Sequence, residues 1–98
     1  MPINEKQRRQ LKGMAHQLKP VVIIGQRGLS EAVLNELEVA IDAHELIKVR
    51  VNAGDRDERQ KMITTICEKC AADFVQSIGH VAVFYRRHPK KPKIVLTD

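Results

Sequence analysis

Two rhythms of apolar positions alternate along this chain. Over residues 3–18, Ile3, Leu11, Met14, Ala15 and Leu18 fall on one side of a helix wound at about 100° per residue. Lys19-Pro20 stops that helix, because a residue before proline is pushed out of the α region. Val21-Val22-Ile23-Ile24 is a buried strand, too short and too β-branched for a helix. Helical spacing returns over 30–43, with Leu29, Val33, Leu34, Leu37, Ala40 and Ile41 on one face and Glu31, Glu38 and Asp42 opposite. The rhythm then drops to period two: Ile47, Val49 and Val51 alternate with Lys48 and Arg50, a strand with one apolar and one basic face.

Asn52-Ala53-Gly54-Asp55 reads as a turn, and Asp57 with Gln60 has capping-box spacing for a third helix reaching about residue 72. Its expected buried stripe is Met62, Ile63, Ile66, Cys67, Cys70 and Ala71. Phe74–Ile78 and Val81–Arg86 are strands joined by a two-residue Gly79-His80 turn. From about residue 87 the chain is a basic tail extended by its prolines, with Ile94-Val95-Leu96 a candidate edge strand. The order α-β-α-β-α-β-β predicts an α/β fold, a two-layer sandwich with a mixed four-stranded sheet. Right-handed crossovers make strands one, two and three parallel, with strand four antiparallel through the hairpin.

At 98 residues the chain is one domain with one modest core. No apolar run approaches the roughly 18 residues of a membrane span. The first residues carry no apolar stretch behind their charges, so they are not read as a secretory signal, and a cytoplasmic protein is expected. The net charge of +5 favours polyanionic partners, but its distribution is the sharper signal. Lys6, Arg8, Arg9, Lys12, Lys19 and Arg27 precede residue 29, against the single acid Glu5. Residues 29–45 hold no Lys or Arg and five acids, Glu31, Glu36, Glu38, Asp42 and Glu45. The folded protein should therefore have a basic side and an acidic side, and the outer face of helix two should repel nucleic acid.

Gly25-Gln26-Arg27-Gly28 joins the first strand to the second helix, with Ser30 or a neighbour opening that helix. Backbone N–H groups and the positive helix end point out of such a loop, glycine admits a large anion, and Arg27 adds a planar fork of donors. The loop therefore fits phosphate contact; the same residues also fit a plain strand-to-helix turn. Lys6, Arg8, Arg9, Lys12, His16 and Lys19 form an arc of about 160° on helix one, with too few acids to neutralise it. Gly13 lies within that helix at a cost in propensity, serving either close packing or close approach of a ligand.

Other chemistry is thinly represented. Cys67 and Cys70 form a C-x-x-C pair late in a helix, on its apolar side, without the further ligands zinc requires. They read as reduced core thiols. His16, His44, His80 and His88 are scattered without ligand spacing. No nucleophile elbow, Walker loop or dinucleotide fingerprint is present. An enzyme is not expected, nor a metal, a cofactor or a small-molecule substrate. Phe74, Phe84 and Tyr85 are the only aromatics, so base stacking on a sheet is not expected either.

The ordered set Leu11-Lys12-Gly13, Ala15-His16, Leu18-Lys19-Pro20-Val21-Val22, Gly25-x-x-Gly28-Leu29, His44-Glu45-Leu46-Ile47-Lys48-Val49 and Ile78-Gly79 through Tyr85-Arg86 resembles a CRM domain. That is the RNA-binding module of bacterial YhbY-type proteins and plant organellar splicing factors. The resemblance implies a fold similar to the C-terminal domain of bacterial translation initiation factor 3. It also implies association with precursors of the large ribosomal subunit, and an RNA surface that includes the glycine loop. Many members place Lys after the first glycine; here Gln26 stands there and the cation is shifted to Arg27.

Together these readings describe a monomeric rRNA-binding domain. Its expected contacts are Gly25, Gln26, Arg27 and Gly28 in the loop, Lys6, Arg9, Lys12, His16 and Lys19 from the first helix and its end, and Arg86 and Arg87 at the start of the tail. Loop, arc and tail are expected to share one surface. Two other readings stay open: an adaptor that uses the acidic face of helix two against a basic protein, and a translation factor that binds mature subunits.

Overall fold

The computed structural model describes residues 2–98. Its elements are α1 (Glu5–Ala15), β1 (Val22–Ile24), α2 (Glu31–His44), β2 (Leu46–Val51), α3 (Arg56–Lys69), β3 (Asp73–Ile78) and β4 (Val81–Tyr85). The expected order is present, and the differences lie at element ends. Helix α1 is shorter than 3–18 because Asn4 closes its start with a full capping box. The Asn4 side chain accepts from Gln7 N–H at 2.8 Å, and the Gln7 side chain accepts from Asn4 N–H at 3.0 Å. Helix α3 is capped by Asp55, whose carboxylate accepts from Glu58 N–H at 2.9 Å, two residues before the expected Asp57. It ends at Lys69, and Ala71, at φ 50°, is exposed rather than part of the buried stripe.

The sheet order is β1-β2-β4-β3. Strand β1 pairs with β2 in parallel, while β4 is antiparallel to both β2 and β3. The first three strands thus share one direction, as expected, but β4 lies between β2 and β3, so only β1 and β2 pair in parallel. One face carries Val22, Ile24, Ile47, Val49, Val51, Ala82 and Phe84 against Leu37, Ile41, Ile63 and Ile66 of α2 and α3. The other face carries Leu46, Val75, Val83 and Tyr85 under Leu11 and Ala15 of α1. Helix α1 therefore adds a partial third layer to the expected two. The reverse side of the sheet is apolar at one end and basic at the other, and α1 covers only the apolar end.

Residues 87–97 do not project as an extended arm. They fold back on a single side chain, Glu45, which is wholly buried. Its Oε1 accepts from the N–H groups of Lys93 at 2.7 Å and Ile94 at 2.8 Å, and its Oε2 accepts from His88 N–H at 2.7 Å. The Glu45 backbone carbonyl accepts from Arg86 N–H at 2.8 Å. The candidate strand 94–96 does not form. Instead Ile94 and Leu96 pack into the α1-side core, and the Gln10 amide brackets the segment, donating to Val95 carbonyl and accepting from Thr97 N–H, both at 2.8 Å.

Burial pushes the Glu45 carboxyl up, but the N–H groups of His88, Ile94 and Lys93 and charge on the His88 ring outweigh it. Its pKa therefore lies below the ordinary glutamate value. A depressed carboxylate stabilises the fold above the unfolded-state pKa, and that stability is lost as pH falls through the folded value. Acid titration of the unmodified protein should thus lose stability at and below the ordinary glutamate range, and Glu45→Gln should lack the Glu45 part of that loss while keeping the part due to Glu38. At neutral pH Glu45→Gln should cost about 2–3 kcal/mol, since an amide sets an N–H donor against N–H donors. Urea unfolding checks both. Amide exchange faster at Lys93 and Ile94 than in β2 would locate the damage in the tail.

Candidate nucleic-acid interface

The glycine loop leaves the C-terminal end of β1 and closes as a turn, with Gly28 N–H donating to Gly25 carbonyl at 3.0 Å. Gly28 sits at φ 69°, which side-chain-bearing residues rarely adopt, so the fold requires glycine there. Ser30 then caps α2 by accepting from Val33 N–H. Gly25 is different. A Cβ at this position would meet nothing within 4 Å, and the same holds for Gly13 on the exposed side of α1. Neither glycine is demanded by packing, and open space lies before both. Gln26 and Arg27 are exposed at the turn's tip, and Gln26 reaches the Asn52 carbonyl only weakly, at 3.4 Å.

Register brings the rest of the surface to this turn. Arg50 pairs with Ile23 of β1 and Val81 of β4 on the face opposite α2 and α3. Because α1 ends at Ala15, that half of the face is uncovered. Lys48, Arg50, Gln76, Ile78 and Val81 line an open groove of about 300 Å³ there, closed on one side by His16 and Pro20. Lys12 precedes His16 by one turn of α1, and Arg9 precedes it by two, so these three share a flank. Lys19 is exposed next to Pro20. Lys6 is exposed but falls about 120° around the helix from Lys12, away from the groove. Arg8, within the sequence-read arc, instead turns inward and donates to the carbonyls of Phe74 and Val75 at the irregularity in β3.

The structure separates the two tail arginines from this surface. Arg86 donates to both oxygens of Glu38, at 3.0 and 2.6 Å, and to the Cys70 carbonyl at 2.8 Å, with Asp42 at 3.6 Å. Hydrogen bonding to that guanidinium holds the Glu38 carboxyl below its ordinary value and raises Arg86. Arg86 therefore ties the end of β4 to α2 on the acidic side, with both of its Nη atoms engaged there. Arg87 is exposed but follows Tyr85, which pairs with Leu46 and Asp73 at the starts of β2 and β3. That end of the sheet is about 17–20 Å from the glycine turn. The His16 flank of α1 thus borders the same half of the sheet as the turn, while Lys6, Arg8 and the two tail arginines lie off it. Lys48 and Arg50 were absent from the expected contacts, although the period-two alternation had already placed them on a basic face.

The remaining candidates are inward-facing. Burial raises both thiols, Cys67 and Cys70, and so keeps them protonated. No cluster of His, Cys, Asp or Glu suited to a metal occurs among the described residues, and no helix there is long and apolar enough to cross a membrane. Phe84 and Tyr85 are buried, and Phe74 meets Phe84 edge-on at 6.3 Å within the core, so no Phe or Tyr ring faces the groove and the imidazole of His16 is the ring at its edge.

The sequence profile of the CRS1 / YhbY (CRM) domain matches residues 3–86. A Pseudomonas aeruginosa protein named as a probable RNA-binding protein is 44% identical over 93 residues, covering 95% of this chain and 89% of its own. A Haemophilus influenzae protein named as an RNA-binding protein is 49% identical over 84 residues, covering 86% and 85%. The solution structure of a candidate RNA-binding protein from Staphylococcus aureus superposes with a TM-score of 0.84 at 30% identity, covering 97% of this chain and 99% of that one.

The two classes of arginine should separate on unfolding. Arg86→Ala strips partners from Cys70 carbonyl and Glu38 and should cost about 1–2 kcal/mol. Arg27→Ala and Arg50→Ala, with no partner to lose, should stay within about 0.5 kcal/mol of the unmodified protein. Equal losses at all three positions in urea unfolding would contradict this division.

Proposed function

The chain belongs to the CRS1/YhbY (CRM) domain family, and from that premise we propose that it binds structured rRNA through the glycine turn and the uncovered half of the sheet. The observation that carries this reading is the groove lined by His16, Lys48 and Arg50 on the half of the sheet where β1 runs into a turn that bears the exposed Arg27 and whose first glycine faces open space. No ion pair among the described residues engages these side chains, and all the close ion pairs there involve Arg8, Arg86 or His88. Free, clustered cations suit phosphates, and Gly25 lets a sugar–phosphate backbone approach the turn. With no exposed Phe or Tyr ring among the described residues for unstacked bases, recognition rests on backbone shape and charge, as on helical RNA.

The contacts we assign are Gly25, Gln26, Arg27 and Gly28, with Arg9, Lys12, His16, Lys19, Lys48 and Arg50 around them; Lys6 lies at the margin. In line with the family resemblance, we place the protein in the cytoplasm, as a monomer on precursors of the large ribosomal subunit. The adaptor reading loses ground because two acids it needs, Glu38 and Asp42, face Arg86 within the fold. Co-sedimentation with precursor particles supports the assembly role; co-sedimentation with finished small subunits favours a translation factor.

Binding to an rRNA hairpin should weaken with salt. A footprint of about five phosphates gives a log–log slope of about −3.5 to −4.5, and a slope near zero contradicts the assignment. Gly25→Ala should fold normally yet bind several-fold more weakly, as should Arg27→Glu. Crosslinking in cells followed by sequencing of the attached RNA identifies the site.

A further inference from the structure

A second opening lies at the same end of the sheet, on the side of α3. It is a cleft of about 370 Å³ between the first turns of α3 and the β3–β4 hairpin, lined by Arg56, Arg59, Gln60, Ser77, Gly79 and His80. The face of α3 that it uses is set by helical spacing: Arg56, Arg59, Gln60 and Ile63 lie at i, i+3, i+4 and i+7. The acids of that turn are directed elsewhere. Asp55 caps the helix, Glu58 lies against Gly54, and Asp57 lines the outer flank with Lys61 and Thr64. Arg59 spends one N–H on Gly54 carbonyl at 3.0 Å, and neither arginine forms an ion pair among the described residues.

His80 supplies the complementary chemistry. Its Nδ1 lies 3.2 Å from Val51 carbonyl. A carbonyl carries no hydrogen, so the shared proton sits on Nδ1 and a neutral ring presents Nε2 as an acceptor. Val81 borders both this cleft and the basic groove, and the Asn52–Asp55 turn links the glycine loop to α3 through Gln26 and Arg59. A chain lying in the groove can therefore continue over the hairpin into the cleft.

We propose that this cleft is a ribonucleotide subsite for the same RNA: Arg56 and Arg59 take a backbone phosphate, and His80 Nε2 accepts from a ribose 2′-hydroxyl. The assignment rests on the RNA reading above. It adds a way to distinguish RNA from DNA, since only the 2′-hydroxyl can donate to Nε2.

The test uses the full chain, an rRNA hairpin and its 2′-deoxy counterpart. Arg56→Gln with Arg59→Gln should make the salt slope shallower by about 0.7–0.9, which is about five- to eight-fold weaker binding at 0.1 M salt if the two lines meet near 1 M. Arg56→Gln alone, which leaves the Gly54 contact intact, should show about half that change in slope. His80→Ala should lower the ratio of RNA to DNA affinity several-fold. Unchanged slope and ratio in folded variants, with the unmodified protein still binding, overturn the subsite and leave the groove assignment standing. Failure of the unmodified protein to bind either hairpin overturns the RNA reading itself. Saturation by AMP without any effect on hairpin affinity would assign the cleft to free nucleotide and likewise overturn the proposal.

Discussion

A single buried carboxylate organises the back of this molecule. Glu45 stands at the junction of α2 and β2, at φ 63°, a backbone conformation uncommon for a residue with a side chain. An uncompensated buried charge would be prohibitive, and here three backbone N–H groups compensate it. All three belong to residues 88–94, so stabilising the charge and folding back the tail are one event. The consequence for function is spatial. Tail residues Ile94 and Leu96 help α1 cover one half of a sheet face, and Lys93, donating to the Ala43 carbonyl at 2.9 Å, ends up near the start of β2, at the far end of the sheet from the glycine turn.

The same economy sorts the cations. Arg8 and Arg86 are consumed by the fold, the first on carbonyls of β3, the second between α2 and Cys70. Both act as planar multi-donor groups satisfying several acceptors, a role lysine fills poorly. Arg27, Lys48 and Arg50 have no such partners among the described residues. Opposite charges that sit in blocks along the chain therefore do not simply become two faces, since an arginine from the basic C-terminal block crosses over and pairs with the acidic helix.

Helix α1 divides the reverse side of the sheet. Had it run to residue 18, it would have extended about one turn farther, over Lys48 and toward Arg50. Ending at Ala15, it leaves His16 at the groove's rim and Leu18 within the apolar cluster. The uncovered half is where register delivers Arg50 beside β1, and β1 leads directly into the turn. The uncovered groove and the apolar half that α1 does cover are thus two results of one short helix.

Much of this was legible from residues alone. Periodicity marked the seven elements and the outward aim of Lys48 and Arg50, because those signals depend on neighbours two to four positions away; the shared direction of three strands followed from the handedness of crossovers. Glycine spacing marked the loop. The sequence could not disclose that β4 inserts between β2 and β3, that Glu45 gathers the tail, or that Arg86 is committed to Glu38. The Glu45 and Arg86–Glu38 contacts join residues 43 to 49 positions apart, and the β2–β4 pairs join residues 31 to 39 apart. Nothing in local spacing says which acceptor a guanidinium or which donor a carboxylate will meet, because a charge reads the same in sequence whether free or paired. Only the folded chain, by bringing distant segments to one place, decided which cations remain for a ligand.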